Sequence, residues 1–315
     1  MVDRRTPAAY GGAGWSPRSE PSRSEIGRLW GACGIATEWS PLRAILLHRP
    51  GPETETADPN ASQMLAQLNV PQAQAQHDAM AAAFERAGVA VHYVDPPLTG
   101  PPNLMFVADL LFMTPEGCIL GRPASTVRAG EERWIARRLA ELGIPILRSV
   151  RGTGTFEGAD AAWIDPRTVL LATGLRTNVE GAAQVTRTLQ EMGVEVIHAG
   201  LPYGAMHLMG TLRFPDRDLA IAWPGRVPFV AVRALQERGY EVLFAPDEAE
   251  LKRGMALNFV TLGPREVLMP AGNPISQAFF EDAGITCRAV EVNELVKAAG
   301  GIGCLTGILE REIPG

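Results

Sequence analysis

The stretch LQEMGVEVIHA (Leu189–Ala199) passes from a polar-apolar helical pattern through Gly193 into alternating β-branched residues. A glycine just past the last helical turn takes the left-handed backbone at little steric cost, and the residues after it suit a strand. The phrase therefore reads as helix, stop, strand. Four other stretches repeat it: FERAGVAVHYV around Gly88, LAELGIPILRS around Gly143, LQERGYEVLFA around Gly239 and FEDAGITCRAV around Gly284.

Apolar runs with strand character precede most of these helices: Leu42–Arg49, Phe106–Met113, Thr168–Thr173, Asp218–Trp223 and Asn258–Pro270. Gly263-Pro264-Arg265 gives the last run the turn chemistry of a hairpin. The unit is then β-β-α-β, repeated every 45 to 55 residues, just above the range in which closed arrays are suspected. A doubly wound sheet also needs a glycine after each helix. It loses ground because no glycine-rich phosphate loop stands between a strand and a helix; Gly152-Thr153-Gly154 runs into Phe156-Glu157 instead.

The 315 residues are 46% hydrophobic and 20% charged, with a net charge of −6. This is globular composition with ample core. The repeat continues without a compositional break, so we expect a flexible N-terminal tail over 1–37 and a single catalytic domain over 38–315. The acidic balance and the lack of basic runs argue against nucleic acid. No apolar run is long enough to span a bilayer, and the Gly/Pro/Ser-rich start has no signal-peptide core. Cys33, Cys118, Cys287 and Cys304 lack metal-ligand spacing, so reduced thiols in a cytoplasmic protein are expected. A homodimer is the base-rate expectation.

Cys304 lies in the glycine-rich GGIGCLTG (Gly300–Gly307), whereas Cys118 and Cys287 fall within apolar strands. A lone cysteine more often packs than reacts, and this loop brings the two readings level. His207 begins a strand in MHLMGTLRF, unlike His48, His77, His92 and His198, which sit in ordinary strand or helix positions. Asp109, Glu157 and Asp160 interrupt apolar runs, where a carboxylate needs a cation or full hydrogen bonding. Each also admits a structural role.

The ordered motifs FVADLLF, GRPASTVRAGEE, FEGAD, GLRTN, MHLMGTLRF and GGIGCLTG, after the opening ATEWSPLRAILLHRPG, resemble the guanidino-group-modifying superfamily of arginine deiminases, dimethylarginine dimethylaminohydrolases and amidinotransferases. The likeness runs from Glu38 to Glu312. It implies the pentein fold, a five-fold pseudosymmetric α/β propeller of ββαβ units. It also implies that Cys304 is a nucleophile toward a guanidinium carbon, that His207 moves protons and that Glu157 orients it. Asp109 and Asp160 would line the cation site. Arg176, and less directly Arg128, would hold a substrate carboxylate. A guanidinium offers only donors, so carboxylates suit it, and beside Cys304 it would favour the thiolate. The expected partner is a small guanidino or amidino molecule, with no metal and no organic cofactor required.

Two positions depart from the family pattern. Met209 stands where deiminases and amidinotransferases carry an aspartate, and Gly303 where many relatives have a histidine. The leading expectation is a hydrolase of the dimethylarginine dimethylaminohydrolase or arginine deiminase kind. An amidinotransferase, an arginine dihydrolase and a non-catalytic pentein binding protein are the alternatives.

Overall fold

The structure is a computed structural model that describes residues 18–55 and 58–313. Each of the five phrase glycines has positive φ: +80° at Gly88, +71° at Gly143, +74° at Gly193, +84° at Gly239 and +78° at Gly284. At Gly193 an added Cβ would meet nothing within 4 Å. Backbone handedness alone selects glycine there.

Ahead of these glycines lie helices α1 (Val70–Arg86), α2 (Glu132–Glu141), α3 (Val179–Glu191), α4 (Phe229–Glu237) and, after the short α5 (Glu248–Arg253), α6 (Pro274–Asp282). Their starts are also local. Asn178 caps α3 by accepting from Gly181 N at 2.8 Å, and the same Oδ1 accepts from Thr155 N at 3.0 Å.

The strands form five three-stranded sheets. Four are sequential: β3 (Leu111–Thr114), β4 (Gly117–Leu120) and β5 (Ile146–Ser149); β6 (Ala161–Asp165), β7 (Thr168–Thr173) and β8 (Glu195–Gly200); β9 (Leu212–Asp216), β10 (Leu219–Ala222) and β11 (Glu241–Phe244); β12 (Val260–Gly263), β13 (Glu266–Pro270) and β14 (Thr286–Val290). The other joins β1 (Leu42–Leu47) and β2 (Ala90–Tyr93) to β15 (Gly307–Arg311), near the end of the chain. In every sheet the first strand is antiparallel to the second and the third is parallel to it, reached through the helix. The β-β-α-β unit holds throughout, with the first unit assembled from both ends of the chain.

Neighbouring units touch around a closed circuit: β15 with β3, β3 with the turn before β6, β6 with the turn before β9, β9 with β12, and β12 with β1. Cross-unit hydrogen bonds fix these junctions. Trp163 Nε1 donates to Met113 O at 3.0 Å, Thr261 Oγ1 to Phe214 O at 2.9 Å, and Tyr240 to Ile164 O. First and middle strands are largely buried, while β2, β5, β11 and β14 are half-exposed on the rim. This is the five-bladed α/β propeller expected from the repeats.

Residues 1–17 of the expected tail lie outside the described residues. The described remainder packs against the body: Cys33, Ile35 and Ala36 are buried, Gly31 N donates to Gly143 O at 2.9 Å, and Gly34 bridges to Glu310. The packed body therefore begins well before the expected boundary at 38. Phe106–Met113 also differs from a continuous strand, because Val107–Leu110 forms a 3-10 turn before β3.

Candidate active site

That turn belongs to a recurring device. Units two, three and four enter their first strands through the 3-10 turns Val107–Leu110, Gly158–Asp160 and Leu208–Gly210. Asp109 and Asp160 lie in such turns, and Glu157 and His207 are the residues just before them. The turns pack so closely that a Cβ on Gly158 would sit 2.0 Å from Leu111 O. Only glycine fits there, which explains the FEGAD motif in steric terms.

Asp109, Glu157 and His207 meet as a buried cluster. His207 Nε2 lies 2.6 Å from Glu157 Oε2 and 3.7 Å from Asp109 Oδ1. Glu157 Oε1 accepts from Ala124 N at 3.0 Å, and its carboxylate lies 4.0 Å from Arg128 Nη1 and 3.6 Å from Arg176 Nη1. Burial disfavours the charged form of His207, but Asp109, the bond to Glu157 and the charge of Asp160 outweigh it and raise the imidazole to about 9. Glu157 moves the other way: burial opposes its charge, yet His207, Arg128 and Arg176 hold it well below the usual carboxylate range. The pair is therefore imidazolium and carboxylate at neutral pH.

Asp160 stands behind this pair. Its Oδ1 accepts from Leu208 N at 3.1 Å and its Oδ2 from Thr177 Oγ1 at 2.7 Å. Burial lifts it to about 6 despite those bonds. Both oxygens are taken, so Asp160 fixes the backbone beside His207. It is not among the residues lining the cleft described below.

Arg128 is also committed internally. It is 4% exposed, pairs with Asp109 and with Glu131 Oε2 at 2.8 Å, and donates to Asn103 O and Phe106 O at 3.4 and 3.2 Å. This leaves it little capacity as the carboxylate handle considered from the sequence; it anchors Asp109. Arg176 lines the same cleft but differs in its partners: its buried Nε has none, and among the described residues its one carboxylate neighbour is Glu157.

Cys304 arrives from the opposite direction, on the short α8 (Ile302–Leu305), which follows α7 (Asn293–Val296) and precedes β15. The glycine-rich run is thus a tight helical turn. A Cβ on Gly300 would lie 2.4 Å from the Phe106 ring, and one on Gly301 would lie 3.0 Å from Asn258 Cβ. Asn258 itself was not singled out in the sequence. Its Oδ1 accepts from Cys304 N at 3.0 Å, its Nδ2 donates to Cys304 Sγ at 3.0 Å, and its carbonyl accepts from Gly303 N at 3.0 Å. It stands shortly before β12, where units two to four carry their polar side chains. Superposing the starts of the five units in the sequence would have found it. Burial and Asp109 push the thiol up, while the Asn258 bond, a Gly301 backbone bond and Arg213 act against that rise.

Cys304 and His207 face the same two clefts. One, about 400 Å³ with its solvent-filled mouth, is lined by Asp109, Arg128, Arg176 and Asn103. The other, about 790 Å³ measured likewise, is lined by Met206, Met209, Met255, Trp223 and Leu257, with Asn258 at its inner end. Asp109, Glu157 and His207 are also close enough to offer three ligands to one metal ion. Arg128 already neutralises Asp109 and approaches Glu157, so a divalent ion there would meet guanidinium charge. Among the described residues no helix is long and apolar enough to cross a membrane.

No family model matches the chain. It is 25% identical over 255 residues to the N(G),N(G)-dimethylarginine dimethylaminohydrolase of Pseudomonas aeruginosa, covering 81% of this chain and 95% of that protein. It is 27% identical over 250 residues to the protein of that name from Mycobacterium tuberculosis, covering 76% and 77%. The chain is thus similar, over most of its length, to enzymes of the guanidino-group-modifying superfamily. Solved pentein structures share its fold. A dimethylarginine dimethylaminohydrolase from Pseudomonas aeruginosa in complex with citrulline superposes with a TM-score of 0.72 at 22% identity, over 86% of this chain and all of that one. An amidinotransferase from Microseira wollei gives 0.72 at 15% identity, over 90% and 98%.

Within this pentein the two departures are neighbours in space. A Cβ on Gly303 would lie 3.0 Å from Asn258 Oδ1, 3.1 Å from Arg213 Nη2 and 3.3 Å from Met209 Sδ. The volume that a histidine before Cys304 would need is filled by those three side chains.

Proposed function

We propose that this pentein is a hydrolase that cleaves a C–N bond at the guanidine or amidine carbon of an arginine-like molecule through a covalent intermediate on Cys304. The observation that carries the reading is the convergence of Cys304, of a His207 held by Glu157 and of Asp109 on one cleft. The relatives named dimethylarginine dimethylaminohydrolase support the substrate class.

In this reading the substrate guanidinium enters beside Asp109, and Arg176 holds a carboxylate at its far end through paired N–H donors. The cation offsets the burial that keeps the thiol protonated and favours the Cys304 thiolate. The sulfur attacks the central carbon, forming a C–S bond and a tetrahedral adduct. His207 has Nε2 bonded to Glu157, so its other ring nitrogen gives its proton to the departing amine as the C–N bond breaks. The carbon remains on sulfur as a thiouronium. His207, now neutral, takes a proton from water as the water attacks that carbon. Breaking the C–S bond releases a ureido product and restores the thiolate.

A second reading, amidino transfer, is favoured by the methionine-lined cleft. It reaches Cys304 and His207 from the other side and has room for an acceptor amine in place of water. The two are separated by incubating the protein with arginine, Nω-methylated arginines and small guanidino acids, with and without acceptor amines, and identifying products by mass spectrometry. Citrulline with ammonia or a methylamine is expected. Ornithine formed only with an acceptor would replace hydrolysis by transfer. Ornithine without one would indicate a dihydrolase. Cys304→Ser should lower turnover by about 10⁴-fold or more while leaving the circular dichroism spectrum unchanged; an active serine variant eliminates the covalent mechanism.

A further inference from the structure

Beside the Cys304 turn, and sharing Met209 with the second cleft, lies a further cavity lined by Glu38, Arg213, Thr261, Gly303, Thr306 and Arg311. Its charges do not balance. Arg311 is 3% exposed, gives Nη1 to Ser40 O at 2.7 Å, and has no partner for Nε. Arg213 lies over the Phe259 ring at 5.3 Å and brings Nη2 next to Gly303. Glu38 is the one carboxylate lining the cavity, and its Oε1 already accepts from Trp163 N at 3.0 Å. Among the described residues no ion pair within 4.0 Å joins Glu38 to either arginine.

Two guanidinium groups therefore share one distant carboxylate, Arg311 fully buried and Arg213 and Glu38 half-buried. Uncompensated buried charge is costly, and guanidinium forks match planar oxyanions through paired N–H donors. Burial lowers both arginines, Arg311 to about 10; a guanidinium keeps its proton in a protein interior. We propose that this cavity binds one small planar monovalent anion, such as nitrate, formate or bicarbonate, between Arg213 and Arg311, and that its occupancy opposes ionisation of Cys304.

The coupling follows from charge. Arg213 favours the Cys304 thiolate, and Asp109 on the substrate side opposes it. When Cys304 ionises, its sulfur becomes the second negative charge that Arg213 lacks. An anion already in the cavity supplies that charge first, so thiolate and anion compete for one guanidinium. Linkage makes the effect reciprocal: the anion slows thiolate chemistry, and thiolate formation expels the anion. The groups facing this competition are Glu38, Arg213 and Arg311 in the cavity, with Asp109 and His207 above.

The test needs no substrate, so it stands or falls separately from the proposed reaction. Cys304 is alkylated with iodoacetamide across a pH series, in sodium nitrate or formate and in sodium gluconate at equal ionic strength, and modification is read at the Cys304 peptide by mass spectrometry. Gluconate is too bulky for the cavity. At a pH below the thiol midpoint, nitrate and formate should slow alkylation about fivefold or more relative to gluconate. In Arg311→Met the difference should vanish while the gluconate rate stays near that of the wild type. Arg311→Lys, which keeps the charge and tolerates a loss of packing, should retain part of the effect. Equal rates in all three salts, or a nitrate effect that survives in Arg311→Met, would overturn the proposal.

Discussion

The two sides of Cys304 are built on opposite principles. Toward the first cleft lie Asp109, Glu157, Arg128, Arg176 and His207, joined by ion pairs between buried groups. Toward the second lie Asn258 and the thioethers of Met206, Met209 and Met255, with no carboxylate among the lining residues. One side is a rigid charge lattice whose members fix each other's protonation. The other has no acid, carries the cations Arg226 and Lys252 in its wall, and is deformable where its methionines lie, because those side chains adapt to what they meet. The contrast suggests that recognition of a cation belongs to the first side, while tolerance toward the group carried or received belongs to the second.

Breaking the lattice should have the largest effect. Glu157→Gln removes the negative partner of His207 and leaves Arg128 and Arg176 facing a neutral amide; kcat should fall by about 10²–10⁴-fold. The pH profile gives a sharper reading. With His207 raised to about 9, the wild-type rate should decline as pH rises through that value, and in Glu157→Gln the alkaline limb should move to lower pH. The same sign governs stability. The contribution of His207 is fully present below its unfolded value near 6.5 and is lost as pH rises through about 9. Thermal melts of wild type and His207→Asn should therefore converge in alkaline buffer; a gap that widens would contradict this sign.

Arg176→Gln comes next. If that side chain holds a substrate carboxylate, KM for arginine-like substrates should rise about 10–100-fold with a smaller change in kcat. A substrate analogue lacking the carboxylate should show no such penalty. On the methionine-lined side Asn258→Ala removes both the donor to sulfur and the acceptor for Cys304 N. Alkylation of Cys304 at neutral pH should slow by about tenfold. Smallest of all, Met209→Leu conserves volume and polarity class and should alter kcat/KM by about threefold or less. A large loss there would mean that the methionine side recognises the substrate as strictly as the charged side does.

The same division explains what could be read from the chain. The five glycine phrases revealed the helix stops, because a left-handed residue after a helix has a nearly unique sequence solution; TVLLAT gave β7 with its observed limits. Buried acids advertise themselves by interrupting apolar runs, and this made Asp109, Glu157 and Asp160 visible. Their division of labour was not visible. Asp160 and Arg128 look like Asp109 and Arg176 in a sequence, and only their partners separate side chains whose polar atoms are committed to the scaffold from those left with an unpartnered atom. Asn258 was missed because a neutral amide at a strand entrance has many ordinary uses. The 3-10 turns were missed because apolar residues on both sides disguise them as strand. The packed segment before residue 38 was obscured by the Gly/Pro/Ser-rich residues ahead of it.

The strand that completes the first sheet, β15, pairs with β1 across almost the whole length of the chain. Closing so long a loop carries an entropic cost that local contacts do not. Cys304 lies on the turn leading into that strand, and its hold by Asn258 belongs to the same junction. The same segment supplies Ala298, Ala299 and Cys304 to the wall of the first cleft. Orientation of the thiol and closure of the ring therefore rest on one junction: where β15 is not paired with β1, the turn that presents Cys304 to Asn258 has no fixed place.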